Sequence, residues 1–354
     1  MAEREDIKAL DAADVRHLVE EMGERPFRAA QLLDWLYAKG ARSFSEMSNL
    51  PKGMRAKLEK RFALDAPKIE VRQESADGTR KYLFSFSDST CVEAVGIPSG
   101  AHLTVCFSTQ AGCAMGCVFC STGRGGFSRN LSCGEMFDQV RAVGEDFGMR
   151  VSNVVAMGQG EPFANYDAVL AALHLMNNER YLGVGARHIT VSTCGIVPGI
   201  ERFSREPEQF TLAVSLHSAV QKTRDVLMPG VAGVPLSNLR DALKSYGDAT
   251  KRRPSLEFAP IEGVNDSDEE LAALVAFCKG MLCHVNLIPL NPPAQNVGGG
   301  SVSSPAAGKM IPSPRIEYFK HALEREHIEV SIRVSRGTDI DGACGQLSQR
   351  YLRS

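Results

Sequence analysis

At 354 residues, 44% hydrophobic and 23% charged, the chain is long enough to bury a sizeable core; its length suggests about two domains unless an α/β barrel absorbs most of it. Forty basic against 42 acidic residues leave a net charge of −2, which excludes a polycation that coats nucleic acid by bulk electrostatics, so any RNA contact must come from local patches. No apolar h-region opens the sequence and no run of about 18 apolar residues follows, so a cytoplasmic location is expected.

Residues 1–65 read as a small helical domain. Apolar residues recur at three- and four-residue spacing over 12–22, 27–37 and 54–62, with breaks at Gly40 and Pro51. The last of these helices carries Lys52, Arg55, Lys57, Lys60 and Arg61 against Glu59 alone, either a phosphate-facing surface or an ordinary solvated face. From residue 66 to 100 the period changes to two, around the turn pairs Asp77-Gly78 and Asp88-Ser89, which predicts a short antiparallel linker layer.

Over 101–345 apolar strands alternate with amphipathic helices. Strands are expected near 102–108, 151–157, 188–193, 210–216, 255–261, 284–290 and 327–334, and helices near 133–147, 165–178, 236–247, 268–280 and 313–326. This is a βα repeat with a parallel sheet, followed by a tail at 346–354. Ser132 with Glu135 forms a capping box, and Ser267 precedes acidic residues in a first turn. The Gly- and Ser-rich stretch 294–309 reads as a surface loop.

Ten cysteines in a chain of this size point to metal or catalysis rather than to disulfide staples. Cys113, Cys117 and Cys120 share one loop after the first strand of the βα series. Three thiolates there can hold three irons of a cubic cluster and leave the fourth iron for a substrate, whereas structural zinc would want a fourth ligand at finger spacing, and none follows nearby. Cys344 lies in a Gly-rich segment that keeps a thiol accessible; Cys91, Cys133, Cys194, Cys278 and Cys283 read as small buried hydrophobes. Gly160-Glu161-Pro162, Ser192, Ser215, His217 and Asn291 all fall after or near the carboxyl ends of predicted strands, where α/β folds bind ligands. A tight turn with a solvated Glu161, and a core histidine at 217, are the plainer readings of the same residues.

The Cys-x3-Cys-x2-Cys spacing, with Phe119 before the last cysteine, resembles the signature of radical S-adenosylmethionine (SAM) enzymes. Gly112-Cys113 through Gly123, Gly126-Phe127-Ser128-Arg129-Asn130-Leu131, Met157-Gly158-Gln159-Gly160-Glu161-Pro162, Ser215-Leu216-His217 and Asp339 through Leu347 together resemble the RlmN/Cfr family of RNA adenosine methyltransferases, nearly end to end. The resemblance implies a partial (βα)6 radical SAM barrel with a small helical amino-terminal domain, a [4Fe-4S] cluster on Cys113, Cys117 and Cys120, and SAM held by Gly160, Glu161, Ser192, Ser215, Leu216, His217 and Asn291.

It also implies a mechanism with two SAM molecules per turnover. Cys344 takes a methyl group by displacement, a 5′-deoxyadenosyl radical from the second SAM abstracts hydrogen from that methyl, and the carbon radical adds to the adenine. Glu93 removes the ring proton and Cys106 resolves Cys344 through a transient disulfide. The substrate implied is an unstacked adenosine of 23S rRNA, with a tRNA anticodon-loop adenosine as a second. An electron donor such as flavodoxin or ferredoxin, no membrane partner, and a monomer are expected. The helical domain, Arg124 with Arg129, and Lys251-Arg252-Arg253 are the candidate RNA-holding patches. Cys120-Ser-Thr-Gly, Glu161-Pro162 and Ile288-Pro-Leu-Asn291 look more like RlmN, which acts at carbon 2, than like Cfr, which acts at carbon 8. Gln159, the Met228-Pro-Gly-Val segment and the 294–309 loop depart from the usual pattern. A radical SAM enzyme acting on a peptide and a non-catalytic metal-stabilised RNA-binding protein are the competing classes.

Overall fold

The structure is a computed structural model that describes residues 4–291 and 310–340 together with Leu347 and Tyr351. The 294–309 loop and Cys344 therefore lie outside the described residues.

The amino-terminal part holds strand β1 (Glu5–Asp6), helices α1 (Ala12–Glu21), α2 (Phe27–Leu33) and α3 (Lys52–Arg61), and strand β2 (Phe62–Ala63), which pairs in parallel with β1. Asp11 caps α1 by accepting from the backbone N–H groups of Ala13 and Asp14, and Val15, Leu18 and Val19 turn one face inward. The cations of α3 are mostly engaged within this part: Arg55 donates to Ser45 O, Lys57 to Met22 O, and Arg61 pairs with Glu21.

This helical part is continuous with the rest through one apolar core. Ile7 is fully buried, and Tyr37 meets Phe137 of the main unit edge-on at 5.0 Å. Beside them Lys8 and Asp138 form a buried ion pair. Asp6 sits half-buried next to that pair. Burial raises its pKa to about 6, with the Asp138 and Asp65 charges adding to the rise and the Lys8 N–H and charge opposing it. A carboxyl whose folded pKa exceeds its unfolded value stabilises the fold below the unfolded pKa and loses that contribution as pH rises through about 6. The stability gained by Asp6→Asn over the wild type should therefore grow by about 2 kcal/mol between pH 4.5 and 7.5, out of the roughly 3 kcal/mol that the full shift of about two units represents. Paired thermal melts check this, and a difference that does not vary with pH refutes it.

Strands β3 (Lys68–Glu74), β4 (Arg80–Ser85), β5 (Cys91–Ser99) and β6 (His102–Cys106) form an antiparallel meander. Its turns fall where the sequence places them, with Gly78 and Ser89 in the left-handed region. The meander is not a separate layer, however. β6 pairs antiparallel with β5 on one side and parallel with β9 (Val151–Ala156) on the other, so one ten-stranded sheet runs through both parts. Before β9 come β7 (Gln110–Gly112), the short helix α4 (Ser121–Arg124), β8 (Phe127–Asn130) and α5 (Cys133–Phe147).

The series continues with α6 (Tyr166–Asn177), β10 (Ile189–Thr193), α7 (Val197–Phe203), β11 (Thr211–Ser215), α8 (Gln221–Leu227), α9 (Leu236–Thr250), β12 (Ser255–Phe258), α10 (Asp268–Cys278), β13 (His284–Leu287), α11 (Ile316–Arg325) and β14 (Glu329–Ile332). β6 and β9 to β14 are parallel neighbours in chain order, the arrangement of a partial (βα)6 barrel. Helices α7 and α8 and the β7–β8 hairpin go beyond the sequence reading. Each is short, and α7 carries Pro198, so none presents enough periodic apolar residues to register.

The parallel strands alternate in the usual period of two, and this divides the sheet into two chemically different faces. Val105, Val154, Ile189, Val191, Leu212, Val214, Leu256 and Val285 are buried under the helices. The opposite face carries Cys106, Thr190, Ser192, Ser215, Glu257, Asn286 and Ser331, in register across neighbouring strands. That polar face positions the candidate site.

Candidate active site

Cys113, Cys117 and Cys120 sit between β7 and α4, and the β7–β8 hairpin closes the base of their loop through Cys113 N–H donating to Gly126 O at 2.7 Å. Gly112 makes that closure possible: its φ is +76°, and a Cβ there would lie 2.1 Å from Gly126 O. Met115, Cys117, Val118 and Phe119 pack against a second apolar cluster around Cys194, Leu227, Met228 and Ile261, and Val118 N–H donates to Leu227 O. The three thiols feel one another. Burial pushes Cys113 up to about 11, and it pushes Cys117 further, with the Cys120, Cys113 and Glu161 charges adding to the effect and Arg224 opposing it. Burial keeps the Cys113 and Cys117 thiols protonated, and the charges of all three cysteines interact, so the loop presents one candidate donor set. Around them Thr122 Oγ1 and Arg224 Nε are buried without a hydrogen-bond partner among the described residues. This donor set, on a glycine-supported and half-buried loop, fits an iron–sulfur cluster.

Gly160 and Glu161 follow β9. Gly160 has φ +103°, and a Cβ there would lie 2.6–2.8 Å from Gln110. Gly160→Ala should cost about 2–4 kcal/mol, from the strained φ and the clash with a buried neighbour, and an unchanged melting temperature would contradict this. Glu161 is buried rather than solvated. Its Oε1 accepts from Phe163 N–H at 3.0 Å and its Oε2 from Cys194 N–H at 2.7 Å, so it ties the end of β9 to the end of β10. Burial raises its pKa, and those N–H groups oppose the rise. The Thr193 and Cys194 side chains also hydrogen-bond this carboxylate.

Ser192 and Ser215 are half-buried near the ends of β10 and β11 on the polar face, Leu216 is fully buried, and Asn291 is exposed beyond β13. His217 has φ +54° and touches Phe119 of the cysteine loop edge-on at 4.5 Å. Its Nδ1 accepts from Ala259 N–H at 3.1 Å, which assigns the ring proton to Nε2. Burial, with the Arg224 charge adding to it, pushes its pKa down to about 3, so at neutral pH it is a fixed donor and not a proton shuttle.

Glu93 and Cys106 stand on the adjacent strands β5 and β6. Cys106 faces Val95, two residues from Glu93 on the same side of the sheet. The Glu93 carboxylate accepts from Lys81 Nζ at 2.9 Å, with side-chain exposures of 3% and 0%. The sequence reading missed this lysine, although a cation in the alternating run 80–85 is a signal of an inward polar partner. It also missed Gln110, whose Oε1 accepts from Glu161 N–H, and buried Arg224, which donates to Cys194 O. Of the three basic patches, Arg129 is spent internally on Asp88 and Glu135, and Arg124 on Val118 O.

The fold and the cysteine loop define a radical SAM protein, and residues 107–275 match the Radical SAM superfamily. A [4Fe-4S] cluster and SAM are the cofactors of that class. Residues 6–64 match the Ribosomal RNA large subunit methyltransferase N-terminal domain. The chain is 44% identical over 353 residues to a probable dual-specificity RNA methyltransferase RlmN of Pelotomaculum thermopropionicum, covering 99% of this chain and 93% of that one. It is 41% identical over 348 residues to the protein of the same name from Desulforamulus reducens, covering 98% and 96%. A crystal structure of a radical SAM methyltransferase from Sphaerobacter thermophilus superposes with a TM-score of 0.84 at 40% identity, over 97% of this chain and 98% of that one. The chain belongs to the RlmN family of radical SAM RNA methyltransferases. No helix among the described residues is long and apolar enough to cross a membrane.

Proposed function

We propose that the protein methylates carbon 2 of an adenosine in 23S rRNA, and of a tRNA adenosine as a second substrate, through a methylated Cys344. One observation carries this reading. Asp339, five residues before Cys344, accepts from Ser75 Oγ and Ala76 N–H in the β3–β4 turn, while Gly337 N–H donates to Asp77. The carboxyl-terminal segment that leads to Cys344 in sequence is thereby docked, at Gly337 and Asp339, on the turn that opens β4, the strand carrying Lys81.

Cys113, Cys117 and Cys120 hold the cluster in this reading, and Gly160, Glu161, Ser192, Ser215, Leu216, His217 and Asn291 bind SAM. A cluster held there, reduced by a flavodoxin or ferredoxin, would supply the electron that splits a bound SAM into methionine and a 5′-deoxyadenosyl radical. Cys344 takes its methyl group from one SAM by displacement and presents that methyl, once activated, to the adenine. The adduct gives up the one electron that SAM cleavage consumed, and Glu93, held by Lys81, removes the ring proton; the Cys106 thiolate then attacks the Cys344 sulfur, forming a Cys106–Cys344 disulfide as the S–C bond breaks and the released carbon takes up a proton to complete the methyl group, and a thiol reductant resets the pair. Carbon 2 of adenine is electron-poor and has no lone pair to attack SAM's methyl, so a polar transfer has no route and a carrier cysteine is chemically reasonable.

Nucleoside mass spectrometry of 23S rRNA and tRNA from a strain depleted of the enzyme, after treatment with the reconstituted protein, tests this. 2-Methyladenosine in both RNAs is expected. 8-Methyladenosine, or no product on rRNA, defeats the reading.

A further inference from the structure

The polar face of the sheet has a second end. At the amino ends of β10 to β13, away from the cysteine loop, lies an open cavity of about 670 Å³. Thr190, Thr211, Ser255 and His284 form its floor, Arg187 and Lys251-Arg252-Arg253 its rim, and no carboxylate lines it. Arg253 pairs with Glu329. Among the described residues no carboxylate lies within ion-pair distance of Arg187, Lys251 or Arg252.

Neutral oxygens hold the two arginines. Arg187 donates twice to Gln209 Oε1, at 2.9 and 2.6 Å, and Arg252 donates to Thr211 Oγ1 at 2.8 Å. Such acceptors aim a guanidinium without neutralising it. Arg252 is half-buried, and its Nε is buried with no partner among the described residues. Capping does not account for this density of charge: the carboxyl end of α9, which Lys251 follows, presents about half an elementary negative charge, against three uncompensated cations. A solvated charge run would point its donors outward, whereas these converge on one concavity.

We propose that this cavity is a phosphate-binding site. Forked guanidinium donors and an ammonium above a floor of hydroxyls match the charge and the acceptor geometry of phosphate oxygens. The five residues of β10 put it about 16 Å from the strand ends that carry the candidate active site, so a phosphate here contributes binding and does not touch the reacting base. Its source is either the phosphodiester backbone of an RNA strand, which rests on the proposed function, or a free phosphorylated small molecule, which does not.

Inorganic pyrophosphate titrated into the reconstituted protein, and the salt dependence of binding a structured adenosine-containing RNA, test the site in its two forms. The variants are Arg187→Gln/Lys251→Gln/Arg252→Gln and Lys251→Gln alone. The exposed Lys251 side chain makes no hydrogen bond or ion pair among the described residues, so its loss leaves the fold intact. The triple variant should bind pyrophosphate at least about tenfold more weakly, and the single variant should move in the same direction. If RNA is the ligand, the slope of log K against log salt flattens by about two, near 0.7–0.9 for each phosphate that is no longer neutralised. A flattened slope assigns RNA phosphodiesters, and abolished pyrophosphate binding with an unchanged slope assigns a free phosphorylated molecule. Wild-type protein that ignores millimolar pyrophosphate, together with a triple variant of wild-type slope, overturns the proposal. Neither arm reads methyl transfer, so a failure of the proposed reaction leaves both interpretable.

Discussion

Replacing Cys344 with alanine is expected to reduce methylated adenosine by at least about 10³-fold, the scale of losing a covalent carrier, while SAM is still cleaved to 5′-deoxyadenosine under reducing conditions. The two readouts separate because Cys113, Cys117 and Cys120, the proposed cluster ligands, lie on a loop of their own, packed against the Leu227–Met228 region. Cys106 lies within the β5–β6–β9 pairing, and Cys194 is buried beside Glu161. Product analysis by mass spectrometry, with 5′-deoxyadenosine measured in the same reaction, is the check. A Cys344→Ala enzyme that methylates at the wild-type rate would refute the carrier role.

The second large effect is expected at Lys81. Lys81→Met removes the cation from a pair in which both side chains are withdrawn from water, and it leaves the Glu93 carboxylate buried without its partner. Breaking a buried pair in this way costs about 3–5 kcal/mol, whereas replacing both charges by uncharged groups of similar shape is often close to neutral. Lys81→Met should therefore unfold well below the wild type in denaturant. Lys81→Met/Glu93→Gln should recover most of that loss while methylation stays absent, because the proposed base is gone. A double variant as unstable as the single one would show that Lys81 acts through packing and not through Glu93. A double variant that still methylates would remove Glu93 from the reaction.

The position of the Lys81–Glu93 pair illustrates what was legible beforehand and what was not. The cysteine loop was readable because its chemistry is local: three thiols within eight residues bring themselves together whatever the rest of the chain does. The strands of the parallel sheet were readable because their apolar residues must pack under helices, and Val154, Val191, Val214 and Leu256 do so. Lys81, Gln110 and Arg224 were not, since each acquires its meaning from a partner far along the chain: Glu93 on the next strand, Glu161 at the end of β9, Cys194 after β10. The basic patches divided for the same reason. Arg129 looked available in sequence and is consumed by Asp88 and Glu135; Arg129 and Thr90 hold Asp88 near a pKa of about 2 against the upward pull of burial. Lys251 to Arg253, a candidate RNA-holding patch in the sequence, rim a cavity.

The sequence by itself determined the class of chemistry, the alternation of strand and helix, and the loop that would carry a metal, because each follows from residue types at short, fixed spacing. Only the tertiary structure decided that the antiparallel meander joins the parallel sheet through β6, that Glu161 is a buried tie between strand ends, and that the sheet's polar face ends in a basic cavity. Those features depend on register between strands and on burial by distant segments. Neither is a property of a residue and its sequence neighbours.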